Sequence, residues 1–78
     1  MKIRTQQDIE ALRAALNRCS MTVWLVGPGG EQYDLKSDRE LPKGIDRLTR
    51  ADGDRMELFA SNYADERVMM DFYSRHIA

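Results

Sequence analysis

The sequence predicts an α/β domain. Its form is an open-faced sandwich in the order β-α-β-β-α-β-α, with a four-stranded, largely antiparallel sheet covered by helices on one face. Three observations predict it. Residues 21–37 alternate apolar and polar side chains on either side of a Gly-Pro-Gly-Gly break, the pattern of a hairpin. Residues 6–19 and the stretch after Asn62 carry apolar residues at helical spacing, so two amphipathic helices need a sheet to cover. Residues 55–60 alternate again, which supplies a further strand just before the last helix.

Composition sets the bounds. The chain of 78 residues makes one domain spanning 1–78, with 42% hydrophobic and 32% charged residues. A domain of this size buries only roughly 60% of its unfolded surface, so its stability margin is small. Twelve basic and 13 acidic residues give a net charge of −1, and the signs are interleaved. That balance lacks the electrostatic footprint of a nucleic-acid or anionic-membrane binder. No secretory leader is read in the first residues, where Lys2 and Arg4 precede Gln6-Gln7-Asp8, and the longest mostly apolar run, Met21–Val26, is far too short to span a bilayer. Cys19 is the only cysteine, so neither an intramolecular disulfide nor a Cys-x-x-Cys site is expected. A cytoplasmic protein without cofactor or metal is the expectation.

Residues 1–5 read as a short opening strand with Ile3 inward. The first helix runs over 6–19. Ile9, Leu12, Ala15, Leu16 and Cys19 form its buried face, while Asp8, Glu10, Arg13, Asn17 and Arg18 form the wet one. Thr5 is its expected N-cap, and Cys19 is expected as a small core residue rather than a reactive thiol.

In the hairpin, Met21, Val23 and Leu25 point inward and Thr22, Trp24 and Val26 outward. Beyond the turn, Tyr33 and Leu35 point inward again. Ser37 and Glu40 have capping-box spacing. Pro42 and Gly44 interrupt the helix signal soon after it starts, so one turn is expected at 38–41 and a short helix near 45–50 carrying Ile45 and Leu48. Residues 51–54 read as a turn. In the strand at 55–60, Met56, Leu58 and Ala60 alternate with Arg55, Glu57 and Phe59. Ser61-Asn62 then caps the last helix, with Asp65 and Glu66 in its first turn. Its buried face is expected to hold Ala64, Val68, Met69, Phe72 and His76, flanked by Met70 and Tyr73. The bare face of the sheet should show Thr22, Gln32 and Glu57.

Two segments carry a family resemblance. Asp34-Leu35-Lys36-Ser37 resembles the Asn/Asp-x-Lys-Ser segment of the histidine-containing phosphocarrier (HPr) family of the bacterial sugar phosphotransferase system. Phe59-Ala60-Ser61-Asn62-Tyr63-Ala64-Asp65-Glu66 resembles that family's last strand running into its last helix. The order of elements is similar over roughly 2–76. The resemblance implies an HPr-like fold and a link to sugar transport. The family's phosphoacceptor is a histidine just before the first helix, in a His-x-Arg-Pro setting. Here that place reads Arg4-Thr5-Gln6-Gln7, and the only histidine, His76, lies at the far end. Glutamine cannot carry the phosphoryl group, so the expected protein is a divergent, non-catalytic HPr-like domain acting as an interaction or regulatory module.

Two residues are singled out. The resemblance implies that Ser37 could be phosphorylated by a regulatory kinase, although Asp38 and Glu40 beside it would repel a phosphate; the plain alternative is a helix cap. Trp24, on the outward face, is the candidate contact for a protein partner, or else is covered by another element or a second copy. The Gly27–Gly30 run lacks the Lys-Ser/Thr of a phosphate-binding loop, and Asp52, Asp54 and Glu57 lack the spacing of a calcium loop. No base and nucleophile are spaced to meet, so no enzyme is expected.

Overall fold

A computed structural model describes residues 3–50 and 53–76. The first helix, α1 (Gln6–Arg18), is started by a reciprocal capping box. The extended N-cap Thr5 accepts the Asp8 N–H on its hydroxyl at 3.1 Å. The Asp8 carboxylate accepts the Arg4 and Thr5 N–H groups, each at 3.3 Å. The same bonds correct the expectation of an opening strand. Residues 3–5 form no strand, because the donors that would enter a ladder are committed to Asp8. Met1 and Lys2 lie outside the described residues. Ile3 is buried in the core even so.

The sheet therefore has three strands among the described residues, not four. They are β1 (Val23–Val26), β2 (Gln32–Asp34) and β3 (Glu57–Ala60), in the order β2-β1-β3 with both pairings antiparallel. Leu25 sits opposite Tyr33 and Leu58, and Trp24 opposite Asp34 and Phe59. Inward-facing Val23, Leu25 and Leu35 meet Leu12, Leu16, Met69 and Phe72 from the helices in one core. Met21, expected inward, is exposed at 54%, because the chain is still turning there and enters β1 only at Val23. The hairpin closes through Gly27 N–H to the Glu31 carbonyl (2.8 Å) and Gly30 N–H to the Gly27 carbonyl (3.1 Å). Gly30 lies at φ +89°, a region that favours glycine. The Glu31 carboxylate reaches Arg47 at 2.8 Å, tying the hairpin tip to the next helix, and this bond holds the Glu31 carboxyl below its ordinary range.

That helix, α2 (Leu41–Leu48), begins earlier than expected. Pro42 stands in its first turn, where a missing N–H costs nothing and the fixed φ suits the helix. Gly44 is a contact residue rather than a break. A Cβ there would lie 2.6 Å from Leu35 Cδ2 and 3.4 Å from Leu25 Cδ2, so glycine lets α2 press onto the sheet. Residues 49–50 lie past the helix end. A 3-10 turn (Gly53–Arg55) comes next, taking Arg55 out of the expected strand while Met56 stays buried. The first half of the expected 51–54 turn, Ala51 and Asp52, falls outside the described residues.

The last helix, α3 (Tyr63–His76), is capped by Asn62, whose side-chain oxygen accepts the Asp65 N–H at 2.8 Å. Its buried side holds Asp65, Met69 and Phe72, with Val68 and Tyr73 packed against the core. Ala64, expected on that face, is exposed, because Asp65 takes the inward position at the first turn. The expected burial of His76 falls on a side chain outside the described part of the chain. Asp65 is the buried charged residue of the described core, at 2% exposure. Its carboxylate accepts N–H groups from Ser20 (3.0 Å) and Met21 (2.9 Å) and the Asn62 amide (3.2 Å). The Ser20 N–H, ahead of the opposing effect of burial, keeps its carboxyl below the ordinary aspartate range. Cys19 packs beside this knot, buried, with its thiol pushed up by burial and by the Asp65 charge, as a core cysteine should be.

Candidate interaction surface

Strand alternation decides what the open face shows. With Val23 and Leu25 inward, Trp24 and Val26 must point away from the helices. The pairing register then sets their neighbours: Phe59 and Asp34 flank Trp24, and Glu57 and Gln32 flank Val26. Trp24 is 38% exposed and Phe59 50% exposed, so two aromatic rings stand on adjacent strands on a face that no helix of the described fold covers. Gln32 and Glu57 are exposed and Thr22 is half-buried.

The second feature is the outer edge of β3. The Val23 carbonyl accepts the Leu35 N–H (2.9 Å) and Gly27 N–H donates to Glu31, so alternate residues of β1 turn their backbone groups toward β2. Trp24 and Val26 therefore turn theirs toward β3 and meet Phe59 and Glu57. By the same alternation Leu58 and Ala60 present N–H and C=O to the outer edge. That edge borders a groove of about 520 Å³ between β3 and α3, floored by Leu58, Met69, Met70 and Tyr73 and carrying Glu57 and Glu66.

Ser37 does not join this surface. It stands just past the end of β2, where the Asp34 carboxylate accepts the Lys36 N–H (2.9 Å) and the Ser37 N–H donates to the Asp34 carbonyl (3.1 Å). Half of the expected capping box forms, with Glu40 N–H donating to Ser37 Oγ at 3.4 Å. The other half does not. The Glu40 carboxylate accepts the Asp34 N–H instead (3.2 Å), and α2 starts only at Leu41. The Glu40 and Leu41 N–H groups already donate to the Ser37 carbonyl (3.1 and 2.9 Å). Lys36, one residue earlier, closes the far end of α1: its ammonium donates to the Leu16 and Cys19 carbonyls at 2.7 and 2.9 Å. Asp34 and Ser37 thus hold local backbone in place, Lys36 ties this segment to the end of α1, and Leu35 lies in the core.

Phe59 is the surface residue that sequence reasoning did not single out. Its outward direction was legible from alternation, but its position beside Trp24 depends on which strand pairs with β1. Among the described residues no group of three or more His, Cys, Asp or Glu side chains is placed to hold a metal, and no helix is long and apolar enough to cross a membrane. No protein-family profile, curated protein or solved structure matches the chain.

Proposed function

We propose that the chain is a non-catalytic protein-interaction domain that receives a protein partner on its open sheet face. The observation that carries this reading is the pairing of Trp24 with Phe59, both exposed, on the side of the sheet opposite the helices. A single exposed aromatic residue is ordinary, whereas adjacent large rings on an uncovered face form the kind of anchor that dominates binding energy at interfaces. The finer reading is a divergent HPr-like regulatory protein of the cytoplasm, linked to sugar phosphotransferase transport. It rests on the residues of the Asp34–Ser37 and Phe59–Glu66 segments and on the order of elements from α1 to α3, although residues 3–5 do not form the opening strand that the resemblance implies.

Photo-crosslinking tests the first statement. A benzoyl-phenylalanine replacing Phe59 should give a discrete protein adduct in the host cell, and the same group replacing exposed Asn17 on α1 should not. Absence of any adduct from position 59 overturns it. Incubation with the general phosphotransferase enzyme and phosphoenolpyruvate tests the second: label appearing on this chain would overturn the non-catalytic reading.

A further inference from the structure

We propose that the groove between β3 and α3 takes an extended, basic and apolar segment of the partner, added as a further strand to the edge of β3. This rests on the interaction reading above and names the chemistry of the partner. Three observations converge on one place. Leu58 and Ala60 offer backbone donors and acceptors to the outer edge, in the spacing a strand pairs with. The floor beside that edge is apolar and adaptable, with Met69, Met70 and Tyr73 from α3; Met70 is 63% exposed. The charged residues of the groove, Glu57 and Glu66, are both acidic, and no cation lines it among the described residues.

Charge selects the occupant. A second copy would bring its own Glu57 and Glu66 against the same carboxylates, which like-charge repulsion opposes. A partner strand with Lys or Arg at alternate positions meets Glu57 and the exposed Phe59 ring with its cations, and turns its other side chains onto the methionines. Phe59 borders both the groove and the Trp24 face, so one partner can occupy the edge and the face together.

The probe is a blocked peptide of about six residues alternating Lys and Val, long enough for one ordinary strand. It should bind the intact domain and slow amide exchange at Leu58 and Ala60. Methylating its alternate backbone nitrogens should abolish binding. The double variant Glu57→Gln, Glu66→Gln removes two exposed charges without touching the core. It should weaken binding about fivefold and flatten its salt dependence. A Glu-Val peptide that binds as well as the Lys-Val one overturns the charge assignment. Lys-Val binding without protection at Leu58 and Ala60 overturns strand addition. No Lys-Val binding, alongside a positive crosslink at position 59, overturns this proposal and leaves the open-face reading standing. No crosslink at position 59 removes the reading on which both depend.

Discussion

The two long helices begin with the same local device and use it differently. At α1, Thr5 caps the helix and Asp8, three residues on, returns its carboxylate to the adjoining backbone in an exposed box. At α3, Asn62 caps the helix and Asp65 again stands three residues on. Its carboxylate keeps one local bond, from the Asn62 amide, but also reaches beyond its own helix to bind Ser20 and Met21, more than 40 residues away in sequence, while buried. One aspartate shapes its own turn and the other fastens α3 to the connection between α1 and β1. A cap signature in a sequence specifies a helix start, but whether the acidic residue behind it is local or a long-range tie depends on what packs over it.

Removing the long-range aspartate breaks the comparison most sharply. Asp65→Ala leaves the Ser20 and Met21 N–H groups without their acceptor and should lower the melting temperature by roughly 10 °C or more, by thermal unfolding followed with circular dichroism. A variant that melts like the native chain would show that the tie contributes nothing.

The pH dependence is the next largest effect. Because folding depresses the Asp65 carboxyl, the stability it contributes is fully present above the ordinary aspartate range. It is lost as pH falls through the folded value. Melting temperature should therefore fall with acidification, and Asp65→Asn should flatten that fall. Parallel curves for the two proteins would assign acid sensitivity elsewhere, for example to Glu31, whose carboxyl is also depressed.

Thr5→Ala removes only a local cap and should cost about 1 kcal/mol in urea unfolding. Lys36→Met tests the opposite end of α1. It removes a cation from the helix C-terminus and should cost about 0.5 kcal/mol. Ser37→Ala loses one long hydrogen bond and should stay within about 0.5 kcal/mol of the native chain. A larger loss would make Ser37 a structural cap.

Much of this fold is legible in the chain. Helical spacing marks α1 and α3, and alternation marks the hairpin and β3, because each of these elements buries one side only. The errors have physical causes. Pro42 reads as a break unless the helix start is known, since proline suits the first turn and disrupts later ones. The opening strand fails because Asp8 takes the donors of Arg4 and Thr5. Gly44 reads as a helix break, yet it lies inside α2, where the close approach of Leu35 and Leu25 explains it. For the candidate site, Trp24 was legible by alternation alone. The partnership with Phe59 was not, because it needs the pairing of strands separated by 30 residues and more.

The sequence by itself determined the α/β class, the hairpin, the two long amphipathic helices and which way Trp24 points. Periodicity and turn chemistry are properties of neighbouring residues, and they act before any long-range contact forms. Only the tertiary structure decided the strand order, and with it the exposed Trp24–Phe59 pair, the edge of β3 that no strand of the described residues pairs, and the burial of Asp65. Each of these joins segments distant in the chain, and the burial of a side chain is set by what packs against it rather than by its own identity.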